Sequence, residues 1–446
     1  MNDTEAQING EIEPPLPEQT FREKGKSARY VPWRERIKHF SWQWDALVTG
    51  TAVTSSCIHM FPYHNDSQAL KIIALVVFLI SLIFFVFNTI CKAAKAIIYP
   101  KDAWNHLTDP SKNAFSGFFA VGNASLLDTA ANISADWHMG SNRYLFFLYG
   151  LWWANSILAY FIAFGVMYSI LGQKSRNLEK VMAIWVVPCL AMIATSTCGG
   201  ILAGLLAPHF PNLALITTGY TLTMGLIALS ITTMITFGFL LRLFLHGAPD
   251  GMIVLGTFNT LTPLGQGGFS LLVYGSNLEK LMPNRTGENF PQSAISGQLL
   301  YALCFGLAYL MWCAGLVWII ISTLSIIRRM KRIPRFWVSH WCLVFPNGTF
   351  ALLSVQLGNI LQSRFYHGFG AAWSILVFVM WTSVVLRSIP AFIEGSMFVP
   401  PPHKPSRKQR RDNEKYGHAS ARAPSLQSCA LSHISFNPHG DNGAFV

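Results

Sequence analysis

Residues 341–353 read WCLVFPNGTFALL, an apolar run with Pro346, Asn347 and Gly348 at its centre. Two readings compete. As two short strands and a turn, the run would display Asn347-Gly348-Thr349 as a glycosylation sequon; as one interrupted helix, it would sit inside a membrane. The two imply different proteins, and the rest of the chain decides between them.

Of 446 residues, 52% are hydrophobic and 12% charged, with a mean hydropathy of +0.36. Soluble domains carry about 25% charged residues, so this chain cannot clothe an ordinary water-facing surface. Its charges cluster at the ends and in short connectors. The intervening apolar stretches, about 20 residues or longer, suffice to cross a hydrocarbon core of about 30 Å. The composition is that of a membrane protein. A net charge of +12 raises the question of nucleic acid, and KPSRKQRR at 404–411 is locally basic. Such a run just after an apolar span reads instead as a cytoplasmic anchor facing anionic lipid, and no nucleic-acid partner is expected. The first 40 residues are polar and carry no apolar signal-peptide core, so the first span is expected to direct insertion. Seven of the eight cysteines fall in or beside apolar spans, with only Cys429 in the polar tail. They form no CxxC or Cys/His pattern, which argues against a disulfide framework or a metal site; no cofactor is expected either.

Ten spans are legible, at about 41–62, 69–91, 113–133, 143–171, 181–206, 211–241, 251–275, 295–327, 336–360 and 370–394. An even count puts both termini on one side. Connectors after the even spans hold thirteen Lys and Arg, from Lys92 to Arg335, against five on the other side, so both tails are expected in the cytoplasm. The sequons at Asn132 and Asn284 then fall in outer connectors, where N-glycosylation is expected. Asn123 and Asn347 lie inside spans, out of reach of that chemistry, and the strand-and-turn reading of 341–353 loses on position.

Alternate spans differ in kind. Even spans such as ALVVFLISLIFFVF (74–87) and LFFLYGLWWANSILAYFIAF (145–164) are plain and apolar; odd spans such as VVPCLAMIATSTCGG (186–200), TFNTLTPLGQGGFSLL (257–272) and FPNGTF (345–350) are polar and interrupted. In hydrocarbon, a broken helix leaves backbone groups without partners and survives only where protein or a water-filled cavity covers it. The expected fold is therefore an all-α integral membrane protein, ten transmembrane helices arranged as five hairpins with the odd spans lining a central pore. Small residues in membrane helices also serve close packing, and that reading holds for many single positions; the fivefold alternation favours a permeation path for the set.

No odd span carries a central Lys or Arg. A path without fixed cations can still favour anions through hydroxyls, amides and helix N-termini. Asp128, an intramembrane carboxylate, is a candidate proton carrier, against the alternative that it merely bonds a neighbour near the end of its span. His59 and His340 read as packing residues.

HFSWQWDALVTGTAVTSSCIHMFPY (39–63), VVPCLAMIATSTCGG, TPLGQGGFSLLVYG (262–275) and WCLVFPNGTFALLSVQLGN (341–359) together resemble the tellurite-resistance/dicarboxylate transporter family. That family includes fungal malate permeases, sulfite efflux pumps and plant slow anion channels. The resemblance spans about residues 35–395. It implies that Phe345, before Pro346, occludes the path as a gate. It also implies that the path-lining helices break at Pro188, Pro263 and Pro346, with Gly265 and Gly348 beside the last two, and that the protein is a homotrimer. RERIKHFSWQW (34–44), AWNH (103–106) and FPN resemble the malate permeases, while PLGQGGF (263–269), FPY and CGG resemble the sulfite pumps. The expectation is a plasma-membrane transporter of small organic acids of the malate type, with sulfite efflux as the alternative, and not an enzyme: HExxH, paired acidic and nucleotide-binding motifs are absent. The expected organisation is a cytoplasmic tail at 1–40, a ten-helix domain at 41–395 and a basic, disordered cytoplasmic tail at 396–446.

Overall fold

The computed structural model describes residues 31–64, 66–137, 141–172, 178–249, 251–282, 293–329 and 336–398. Asn284, the 404–411 basic run and the outer parts of both tails lie outside the described residues. Among those described, no strand occurs. The helices in order are α1 (Trp33–His39), α2 (Asp45–His59), α3 (Gln68–Ile98), α4 (Pro100–Thr108), α5 (Pro110–Asn113), α6 (Gly117–Asp136), α7 (Asn142–Leu171), α8 (Val187–Leu206), α9 (Pro211–His246), α10 (Leu261–Leu281), α11 (Ser293–Arg329), α12 (Val344–Leu361) and α13 (Arg364–Glu394).

Short and long helices alternate. α2, α6, α8, α10 and α12 have 15 to 21 residues; α3, α7, α9, α11 and α13 have 30 to 37. Each short helix packs on the long helix that follows it, and the short helices contact one another in a closed ring, α2 to α6 to α8 to α10 to α12 and back to α2. Seven stretches among the described residues are long and apolar enough to cross a membrane: 68–98, 142–171, 183–206, 211–246, 295–329, 338–361 and 364–394. At 1.5 Å per residue the long helices reach about 45–55 Å, more than a hydrocarbon core of about 30 Å requires. Span two accordingly runs on to Ile98 rather than ending near residue 91.

Burial separates the two sets as a hydrocarbon solvent would. In the apolar windows of α8 and α12, 83% of residues are buried, against 17–28% in those of the long helices. The long helices turn Ile83, Phe161, Phe237, Leu310 and Leu386 outward, side chains that lipid solvates without cost. The inner ring holds the hydroxyls instead. Thr51, Thr54, Thr195 and Thr197 bond the carbonyl four residues back, which hides their polarity inside the helix.

Every short helix is entered through a 3-10 segment, at Trp42–Trp44, Ala114–Ser116, Ala183–Val186, Gly251–Thr260 and Val338–Leu343. Three of the expected helix breaks lie at these junctions. Pro188, Pro263 and Pro346 all fall in the first turn of α8, α10 and α12. Within a first turn the missing proline N–H would have had no intrahelical partner, so proline starts an α-helix there without interrupting one. The interruption is thus a change of helix type at one end of the ring. Among the described residues only Pro390 sits within a helix interior.

The 341–353 stretch is resolved residue by residue on this frame. Cys342 and Leu343 close the 3-10 entry, and the Asn347 side chain donates to the Leu343 carbonyl at 2.8 Å. Gly348 faces α2: a Cβ there would stand 2.7 Å from both methyls of Val53. Gly265 plays the same part between α10 and α12, where a Cβ would meet the Phe350 amide nitrogen at 2.7 Å. Both glycines permit close approach of neighbouring ring helices.

Candidate functional site

A narrow cavity of about 30 Å³ lies inside the ring. Every ring helix lines it: α2 with Val53, Ser56 and Met60, α6 with Ser125, Asp128 and Asn132, α8 with Ile201, α10 with Gln266 and Phe269, and α12 with Phe345 and Leu352. No Lys or Arg lines it. On α6 the three polar lining residues fall at intervals of three and four, the spacing that puts them on one helix face.

Phe345 is 3% exposed and holds its ring at this cavity, one residue before Pro346. The first α-helical turn of α12, fixed by that proline, sets its direction. Asp128 sits on the same cavity two turns before the C-terminus of α6. Its Oδ1 is buried and makes no hydrogen bond among the described residues, while the Cys198 thiol stands beside the carboxyl. A carboxylate oxygen without a partner in so dry a place is costly. It is relieved when the group holds a proton or meets a donor on a passing solute.

Other polar residues tie the ring to its surroundings. Asn123 donates to Asn155 at 3.1 Å, and Asn155 donates to Thr195 at 2.8 Å and the Ala120 carbonyl at 3.1 Å, knitting α6, α7 and α8. Asp45 is buried at the entry to α2, with Lys92 at 2.9 Å and Asn88 beside it, and Lys92 also lies 3.8 Å over the Phe119 ring. These groups hold helices together and lie away from the cavity.

Sequence reasoning placed several residues differently. Asn132 was expected in an outer connector as a glycan acceptor; it lies instead within α6 on the cavity, with Ile133 and Ser134 of its sequon buried. His59 pairs with Asp136 at 2.6 Å, and Lys71 approaches the same carboxylate at 3.5 Å, so His59 joins an ion-pair cluster at the end of α2 and α6. His340 behaves as a packing residue, its Nδ1 accepting from the Trp337 amide and its ring against Phe336. Gln266 and Ser125 were not singled out; the PLGQGGF motif contained the signal for Gln266.

Comparison with known proteins follows this geometry. Residues 39–389 match the family described as voltage-dependent anion channel. The chain is 26% identical over 372 residues to a protein named sulfite efflux pump in Arthroderma otae, covering 83% of this chain and 96% of that one. It is 22% identical over 405 residues to the malic acid transport protein of Schizosaccharomyces pombe, covering 85% and 86%. It is 22% identical over 397 residues to the sulfite efflux pump of Saccharomyces cerevisiae, covering 74% and 84%.

Proposed function

Because the chain belongs to the voltage-dependent anion channel family, a family of channels and transporters and not of enzymes, we propose that it exports sulfite through the cavity enclosed by its five short helices, with Phe345 as the gate. The observation that carries this reading is the lining itself: one narrow cavity touched by all five ring helices, polar through hydroxyl, amide and a single carboxyl, with Phe345 and Phe269 among its lining. Following the alternating pairs, α2, α6, α8, α10 and α12 run parallel, so their positive N-terminal ends share one side and draw anions toward the ring without fixed cations. All ten helices of the five pairs count as spans in this reading, since α2, α6 and α10 belong to the same ring as α8 and α12. The termini are cytoplasmic, the membrane is the plasma membrane, and Asp128 takes part in proton coupling. A trimer, as the family resemblance suggests, would leave one path per subunit.

Sulfite is set ahead of malate, reversing the lean of the sequence motifs. The relatives named sulfite efflux pump from Arthroderma and Saccharomyces favour this order. Malate remains the second reading on the strength of the Schizosaccharomyces relative. Efflux and uptake of labelled sulfite and malate in transporter-null cells, at acid and neutral external pH, test the choice. Sulfite efflux without malate movement supports it, and malate movement alone overturns it.

A further inference from the structure

Gln266, like Ser56, is a polar lining residue held by a side chain of a neighbouring ring helix. It is 7% exposed on α10, and its Nε2 donates to Thr197 Oγ1 on α8 at 2.9 Å. Thr197 is also bonded to the Ile193 carbonyl at 2.9 Å and to Ser270 Oγ, and Ser270 bonds the main-chain carbonyl of Gln266 at 2.6 Å. Two hydroxyl protons serve the Ile193 and Gln266 carbonyls and the contact between the two hydroxyls, so none is left over to donate to the carboxamide. Thr197 meets the carboxamide as an acceptor, which turns the amide nitrogen toward α8 and the carbonyl oxygen away from it. Oε1 and the second N–H make no hydrogen bond among the described residues. Tyr274, one turn on from Ser270, donates to Ser196 at 2.7 Å, so the α8–α10 seam that holds this amide is bonded on both sides.

We infer that Gln266 is the specificity-determining residue of the cavity, selecting oxyanions that carry a hydroxyl hydrogen over halides. The inference rests on the transport reading above. A carboxamide offers an acceptor and a donor side by side in one plane. A hydroxyl-bearing oxyanion such as hydrogensulfite, or a hydroxy acid, satisfies both at once: its O–H donates to Oε1 and an anionic oxygen accepts from the N–H. Chloride has no hydrogen to give, so it leaves Oε1 unpaired and meets only the N–H. With little room for water beside the anion, an unpaired acceptor is a penalty and a charge-assisted bond a gain, so the two effects act in the same direction. Because Thr197 fixes the amide in advance, the anion does not bear the cost of orienting it. Thr197 is a positioning residue in this scheme and touches the anion only through Gln266.

The test uses the full-length protein in phosphatidylcholine vesicles, with hydrogensulfite and chloride flux measured side by side for the wild type, Gln266→Met and Thr197→Val. Gln266→Met is expected to lower hydrogensulfite flux about tenfold while chloride flux changes by less than about twofold, since one charge-assisted bond corresponds to about a factor of ten or more. Thr197→Val keeps the shape and removes the hydroxyl, and is expected to move the flux ratio the same way by a smaller factor, a shift that loss of packing alone would not produce. Where Gln266→Met fails to fold, the Thr197→Val ratio decides. An unchanged ratio, or an equal fall for both anions, overturns the assignment of Gln266 while leaving transport intact. A wild type that moves neither anion overturns the transport reading and this inference with it.

Discussion

Replacing Phe345 by alanine should turn a gated path into an open one. The ring is 3% exposed and lines a cavity of only about 30 Å³, so under the proposed gating an anion passes only when the ring leaves its packed position. Displacing a fully buried phenylalanine side chain costs about 1.5–3 kcal/mol. At about 1.4 kcal/mol per factor of ten, the closed arrangement is favoured by roughly ten- to a hundredfold, and that is the expected rise in anion conductance per molecule for Phe345→Ala. Phe345→Leu should rise less, because a branched aliphatic side chain still fills part of the space. Folding should suffer less than the 3–5 kcal/mol seen for Phe→Ala in closed cores, since one side of the ring already faces a void. The assay is sulfite-dependent current or flux normalised to surface protein. Unchanged conductance at normal surface level would refute the gate, and a fall would show that the ring contributes to the path and does not block it.

Other expectations follow from separate parts of the fold. Asp128→Asn keeps the shape but cannot exchange a proton; flux should lose its dependence on pH, read with a pH-sensitive dye inside vesicles, and an unaltered profile would remove Asp128 from coupling. Arg36 is buried and donates to the carbonyls of Val31, Phe392 and Ile393 at 2.6, 2.9 and 2.8 Å, tying α1 to the last turn of α13. Two of these carbonyls lie in the last turn of α13, where intrahelical donors run short, so Arg36→Ala should lower stability by about 3 kcal/mol or more, seen as a lower melting temperature in detergent, with Arg36→Lys intermediate. His106 on α4 is pushed down to about 4 by burial and by the Lys95 ammonium at 3.3 Å. Its neutral form is the folded one, so its contribution is present above about 6.5 and lost as pH falls toward about 4; acid unfolding of His106→Gln should lack that component.

The closing part of the opening stretch shows why some of this was legible in sequence. Burial class in a bilayer is set by composition, so the alternation of plain and polar spans was enough to divide the helices into a lipid-facing set and an inner set. The prolines announced a discontinuity for the same local reason, the missing N–H. Their consequence was not local: whether Pro346 kinks a helix or begins one depends on where the preceding 3-10 segment ends, and that is fixed by packing among the ring helices. The placing of Asn132 was not local either: α6 continues to Asp136 and turns Asn132 onto the cavity that the other ring helices close.

By itself, then, the sequence determined the membrane class and the pairing of neighbouring helices, which follow from residue type and spacing along the chain; it singled out Asp128 as an intramembrane carboxylate, and Phe345 only through the family resemblance. Only the tertiary structure decided that eleven residues from five separated segments meet at one cavity. Only it decided that Gln266 is held by Thr197 and Ser270, and that His59 and Asp136 form a pair. Such contacts join residues 69 to 77 positions apart, and no local preference encodes a distance of that kind; it arises when the ring of short helices closes.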